Sequence, residues 1–400
     1  MKIKKILFVI VLPLIFVSCS PKIKKILSAG HIEQEQFKKT IPFEYTKTGH
    51  ILLKVTIEGK LYDFILDTGA TTIISKELAN ELNVQKMGSS KIEDINSTTT
   101  NLDFVILENI EIGGINFNKT IGSILDLQKG DLACLEVDGL IGSNLMRHAV
   151  WDFDFQNSTI TITNDESQLD IPSNHSDSKI FIGDAYQVSI ITKFNNERVL
   201  NNIIDLGNAG NPKLTYIAFN DLKDTDKNME YITGSGGSGF GAFGRSTEKK
   251  SSYSTRINSL TIGSSTIDNV IATSSDGDTN LGLSVFKNYR IIFNWKKRSF
   301  KMIKQTDRVE DKLVGFGFTP VFENNKLYVD YLYDDIPASK LLTYRDQILR
   351  INSNDYSSVS DEEWCTFFQD GFYKDVETMT ITVLRDGKEL TFDLKKAVLL

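Results

Sequence analysis

Cysteine, histidine and basic charge are all in short supply. Three cysteines cannot build a disulfide scaffold, and four histidines leave little for a His-based metal centre. Lys and Arg number 45 against 52 Asp and Glu, a formal charge of −7 with a pI near 5.3. Nucleic acid is therefore not expected as a partner, because phosphate binding relies on a basic face. Proline is rare as well, at seven residues, yet 24 Phe, 13 Tyr and a charged fraction of 24% exclude a disordered or fibrous chain. At roughly 100–200 residues per domain, 400 residues suggest two to four domains. One stretch departs from this average: the first 18 residues.

Met1–Lys5 carries three lysines, and Ile6–Val17 is a continuous apolar run of 12 residues. A basic start followed by an apolar run too short to span a bilayer reads as a secretory signal. It ends in Phe16-Val17-Ser18-Cys19, which resembles the lipobox of bacterial lipoproteins, with Phe16 in place of the usual leucine. The resemblance implies cleavage before Cys19 and acylation of its thiol and new amino group, giving a lipid-anchored protein of the bacterial cell envelope. Each buried CH2 of such chains contributes about 0.8 kcal/mol to anchoring. Ser20 is not acidic, which by the usual bacterial sorting rule favours the outer membrane over the inner. Cys134 and Cys365 remain, in regions assigned to different domains. Two buried free thiols are the expectation, although an oxidising compartment would permit a bridge.

The body of the chain is written twice. Ile51–Ile57, a Glu58-Gly59-Lys60 turn and Leu61–Leu66 form a hairpin pattern ending at Asp67. Val188–Phe194, a turn at 195–197 and a strand pattern from Arg198 to Ile204 repeat it and end at Asp205. Glycine follows two positions later in both copies, at Gly69 and Gly207, and then a short helix pattern, Ser75–Leu82 or Tyr216–Leu222. Leu107–Gly113 is echoed by Ile257–Gly263, and Gly139-Leu-Ile-Gly142 by Asn280-Leu-Gly282. Each copy closes on a strand pair, Ala149–Phe155 with Thr159–Thr163, and Tyr289–Asn294 with Ser299–Ile303. Asp67 and Asp205 lie 138 positions apart and Gly142 and Gly282 lie 140 apart, so a two-residue insertion follows Asp205. The pattern predicts two homologous β-domains of about 120 residues each.

Asp67-Thr68-Gly69-Ala70 after an apolar run resembles the active-site signature of aspartic peptidases, and Leu140-Ile141-Gly142 resembles that family's second signature. The resemblance spans about residues 42–305. It implies a pepsin/retropepsin-like fold in which each lobe supplies one catalytic carboxylate, Asp67 and Asp205, supported by Thr68, Gly69 and Gly207. Two carboxylates about 3 Å apart cannot both ionise; they share a proton and activate a water without metal or other cofactor. The second copy reads Asp205-Leu206-Gly207, with leucine where the family has a hydroxyl. There the two hydroxyls grip the opposite lobes, and a buried hydroxyl left without its partner costs about 1–3 kcal/mol. Two functions stay open: a working endopeptidase, or a catalytically inactive peptide-binding lipoprotein.

Gly234–Gly244 contains a formal G-x-G-x-x-G but lies outside any βαβ pattern, so a nucleotide site is not expected. It falls where the second lobe's substrate-covering flap belongs, with Phe240 and Phe243 as substrate contacts. After a charged linker, the region from Val314 onward resembles a PDZ domain. Ile336-Pro337-Ala338 matches that family's Ser-Pro-Ala turn, and Asp346–Asn352 its Asp-x-Ile-x-x-Ile-Asn segment, with Arg345 where glycine is usual. Gly315-Phe316-Gly317-Phe318 would be its peptide-binding loop, where backbone N–H groups converge on a peptide or protein C-terminus.

The expected architecture is mainly β: a signal peptide over 1–18, a tether over 19–41, protease lobes over 42–168 and 178–305, and a PDZ domain over 313–400. The expected partners are a polypeptide substrate, a peptide end at the PDZ domain, and the membrane through the lipid anchor.

Overall fold

A computed structural model describes residues 21–93, 99–195, 198–237, 244, 249–275 and 277–400. The leader with Cys19, and Phe240 and Phe243 of the glycine-rich stretch, lie outside the described residues. The protein is mainly β.

Strand Ile51–Ile57 turns its alternate residues Ile51, Leu53, Val55 and Ile57 into the core, the period-2 burial of a half-exposed strand. Glu58 and Gly59 both take positive φ (50° and 78°), the backbone of a two-residue hairpin turn. The returning strand Lys60–Asp67 then receives Gly139–Gly142 as a parallel neighbour, with Gly142 opposite Asp67. Gly139–Gly142 also pairs antiparallel with Ile73–Ser75, which runs parallel to Ile115–Leu125. The second half repeats this pairing. Arg198–Ile204 lies parallel to Asn280–Leu281, and Lys213–Thr215 lies parallel to Ser265–Ser275 while meeting Asn280 from the other side. Sequence repetition has become repetition of register, so the two aspartates end equivalent strands.

A second layer joins the halves. Its antiparallel strands run in the order Lys38–Pro42, Thr159–Thr163, Val150–Asp154, Tyr289–Asn294, Ser299–Lys304 and Ser176–Ile182. At its centre Phe153 meets Phe293 edge to face at 5.9 Å, among the fully buried Trp151 and Phe300. Buried Asp152 receives a two-pronged bond from Arg290 (2.8 and 2.6 Å), which fixes one half against the other. The carboxylates in front therefore sit on one packed base.

The expected tether is part of this base. Residues 21–41 begin with the helix Pro21–Leu27, pair through His31–Ile32 with Ile115–Leu125, and enter the central sheet as Lys38–Pro42. Leu27 and Phe37 are buried, and the sheet edge at Thr159–Thr163 takes the backbone of Lys38–Pro42. A free linker would leave both unsatisfied.

The C-terminal region has its own core around Phe318, Leu327, Val329, Ile348, Trp364 and Val383. Phe318–Glu323, Lys326–Tyr333, Gln347–Ile351, Thr378–Arg385 and Lys388–Lys395 pair in that order, and helix Asp361–Asp370 starts with a complete Ser360/Glu363 capping box. Arg345, where glycine was expected, holds φ at 71°. Its guanidinium forks onto Glu323 (2.8 and 2.5 Å) and lies over the Tyr328 ring, contacts that offset the backbone strain.

This region is fastened to both halves. Tyr231–Gly236 of the second half pairs antiparallel with Lys326–Tyr333, Gly234 opposite Tyr333 and Gly236 opposite Tyr331. Asp334 N–H donates to the Thr233 carbonyl, and the Thr233 hydroxyl to Asp334 (2.6 Å). On the first half, Cys134 forms a disulfide with Cys365, overturning the expectation of two free thiols. The reason is tertiary. The turn Gly130–Leu135 packs on helix Asp361–Asp370, where Trp364 donates to Asp131 and Gln369 to the Cys134 carbonyl. These contacts bring together sulfurs 231 residues apart.

Candidate active site

Asp67 and Asp205 come together where the two equivalent strands end. Their carboxyls face each other across Gly69, whose Cβ position lies 2.9 Å from Asp205 Oδ1 and 3.3 Å from Asp67 Oδ1. Each is held by the loop that follows it. Gly69 N–H donates to Asp67 Oδ1 at 2.8 Å, and Asn208 N–H to Asp205 Oδ1 at 3.0 Å. The glycines are required by proximity. A Cβ on Gly69 would lie 2.9 Å from the Asp205 carboxyl, and one on Gly207 would overlap the Asp67 carboxyl.

The pair is ringed by protein, yet each residue keeps some exposure. Burial and then the facing Asp205 push the Asp67 carboxyl up to about 7. Burial raises Asp205 as well, but the Lys213 cation and the N–H groups of Asn208 and Gly207 oppose the rise. Lys213 occupies the register position that Ile73 holds in the first half. Both carboxyls are raised, which favours one proton shared by the pair, while Lys213 and the loop N–H groups favour charge on the Asp205 side.

The hydroxyl grip is half present, and it differs from expectation. Thr68 Oγ1 donates to the Ile204 carbonyl (2.7 Å) and accepts from Leu206 N–H (2.9 Å), both in the opposite half. The hydroxyl is thus satisfied by backbone, and no orphan results. Leu206 offers no return bond; its side chain is fully buried in the apolar core.

Beneath the loops, the two short parallel strands pass too close for side chains. A Cβ on Gly142 would overlap the Thr71–Thr72 peptide, and one on Gly282 the Gly210 carbonyl. Asn144 takes Thr72 N–H (2.7 Å) and Ser143 Oγ donates to the Thr68 carbonyl (2.7 Å). In the second half Asn208 Nδ2 reaches Asn280 Oδ1 and the Asn211 carbonyl, both at 3.0 Å. Gly142→Ala is expected to destabilise the protein by more than about 3 kcal/mol, because the obstruction is backbone that cannot repack. Urea denaturation of the variant would measure it.

Gly315, Phe316, Gly317 and Phe318 lie on the C-terminal region, away from the aspartates. Val314–Gly315 pairs with Ala397–Val398; Gly317 takes φ +85° against Ile336, and Phe316 and Phe318 are buried in that region's core. Phe322 stacks on Trp364 at 5.8 Å, so aromatic rings fill the seam between strand Phe318–Glu323 and the helix. Sequence reasoning passed over Lys213 and His50. Aligning the two halves position by position exposes Lys213 against Ile73, whereas nothing in the sequence around His50 marks it.

Residues 53–145 match a family described as aspartyl protease, a span that contains Asp67, Thr68, Gly69 and Gly142. No curated protein matches the chain.

Proposed function

We propose that the chain is an aspartic-type endopeptidase whose Asp67 and Asp205 share one proton and activate one water. The observation that supports this reading is the close approach of the two carboxyls where equivalent strands end, Asp205 Oδ1 at 2.9 Å and Asp67 Oδ1 at 3.3 Å from the same Gly69 Cβ position. Ionised Asp205 takes a proton from the water as its oxygen attacks the peptide carbonyl carbon, and Asp67 gives its proton to the carbonyl oxygen. Asp205 then passes its proton to the leaving nitrogen while Asp67 recovers one from the diol, and the C–N bond breaks. Protons balance, and both carboxyls return to their starting state.

Leu206 favours a second reading, a peptide-binding protein with an inactive cleft. Hydrolysis of an unstructured polypeptide between pH 3 and 8, by wild type, Asp67→Asn and Asp205→Asn, decides between them. The endopeptidase reading requires cleavage by wild type and by neither variant. Cleavage that survives in Asp205→Asn would point to a dimer of first halves. The alkaline limb is expected near pH 7, where Asp67 gives up its proton. Lys213→Met removes a cation that favours ionised Asp205, so the acidic limb is expected to move up by about one pH unit.

We read the region from 313 onward as a PDZ-like unit, and its fastenings favour a holding role as well as a recognising one. A peptide end at Gly315–Phe318 would have to add beside Phe318–Glu323. The disulfide suits an oxidising compartment, in line with an envelope protein acylated at Cys19.

A further inference from the structure

His50 belongs to the first half but works on the loop of the second. The turn from Thr46 to His50 is closed by Thr46 N–H to the His50 carbonyl (2.9 Å) and His50 N–H to Thr46 Oγ1 (3.0 Å). Gly49 brings this turn against the opposite loop, where its Cβ would touch that of Ala209. Thr46 Oγ1 lies 2.8 Å from Thr48 Oγ1, which lies 2.7 Å from His50 Nδ1. With Nδ1 accepting from Thr48, the other ring nitrogen carries the hydrogen and engages the Gly207 carbonyl. That carbonyl and the Asn208 N–H are two ends of one peptide group, and the Asn208 N–H donates to Asp205 Oδ1. The bonds therefore run in one direction, from Thr46 through Thr48, His50 and the Gly207–Asn208 peptide to the carboxylate.

We propose that His50 is a positioning residue for Asp205: its ring orients and polarises the Gly207–Asn208 peptide, on the side where Leu206 makes no return bond across the halves. This rests on the endopeptidase reading only for its effect on turnover. A donor on the carbonyl strengthens the N–H at the far end of the same peptide, as in any chain of aligned hydrogen bonds. Burial, with the Lys287 cation nearby, lowers the imidazole to about 4, so it is neutral at pH values above that. The charged groups facing Asp205 itself are Asp67 and Lys213.

The test compares wild type with His50→Phe, which keeps the ring volume without the donor, and His50→Gln, which restores a donor. Each is read by peptide hydrolysis across pH and by titration of the 13C-labelled Asp205 carboxyl, identified by its loss in Asp205→Asn. His50→Phe is expected to lower kcat about 10–100-fold with KM within about twofold, and to raise Asp205 by about half to one pH unit. His50→Gln should stay within about threefold of wild type. If His50→Phe does not fold, Thr48→Val, which removes the donor to Nδ1, should move the titration the same way by less. An unchanged Asp205 titration in a folded His50→Phe overturns the proposal, whatever happens to KM or melting. A wild type that cleaves nothing, with a titration that still moves in His50→Phe, leaves the brace standing and removes the endopeptidase reading.

Discussion

At pH 8 the Asp67→Asn variant is expected to melt several degrees above the wild type while losing hydrolysis by about 10⁴-fold or more. Folding buries this carboxyl and sets it beside Asp205, and together these raise it from 3.8 to about 7. Between those values the native state holds more protons than the unfolded chain, so stability declines as pH rises from 3.8 to about 7 and stays low above. The displacement corresponds to roughly 4 kcal/mol at most, and access of solvent to the cleft brings the expected gain on removing the charge to about 2–3 kcal/mol. At pH 4 the same variant should melt close to the wild type. Thermal melts at the two pH values measure the difference, and equal gains at both would mean that the pair does not repel. A site that holds two buried carboxyls side by side is destabilising by construction.

Opening the Cys134–Cys365 bond is expected to have the largest effect on the molecule as a whole. The bond closes a loop of 231 residues, and the chain-entropy argument assigns such a closure about 5 kcal/mol. The paired variant Cys134→Ser/Cys365→Ser, which leaves neither bridging sulfur as a free thiol, is expected to lose about 10 °C of melting temperature. Amide exchange should show where. Helix Asp361–Asp370 loses its covalent hold on the turn Gly130–Leu135, so its protection should fall, while Val150–Asp154 in the central sheet keeps its own. Equal loss in both segments would make the bond a global staple rather than a local one.

Much of the first half was legible because each signal is local. Alternation along Ile51–Ile57, the Glu58-Gly59 turn and the Ser75 cap before Lys76–Glu81 all act over a few residues. The aspartate pair was legible for a different reason: the duplication carried its geometry from one copy to the other. What escaped depends on contacts between distant segments. Lys38–Pro42 is mostly exposed and polar, and becomes a strand because Thr159–Thr163 offers it an edge. The pairing of Cys134 with Cys365 needs a turn and a helix to pack first. His50 looks like an ordinary polar loop residue until the opposite loop is folded against it. Leu206 was read as the loss of a bond, whereas Thr68 keeps both of its own by using backbone.

The ladder between Tyr231–Gly236 and Lys326–Tyr333 sets a clock for the cleft. An isolated surface hairpin reorients within nanoseconds to microseconds, but a strand shared with a neighbouring sheet moves only as that neighbour moves. On the endopeptidase reading, a substrate passing this strand would meet one that moves only with the C-terminal body, in the microsecond-to-millisecond range of domain motions. Turnover in such a molecule would respond to solvent viscosity, and not only to the chemistry at the aspartates.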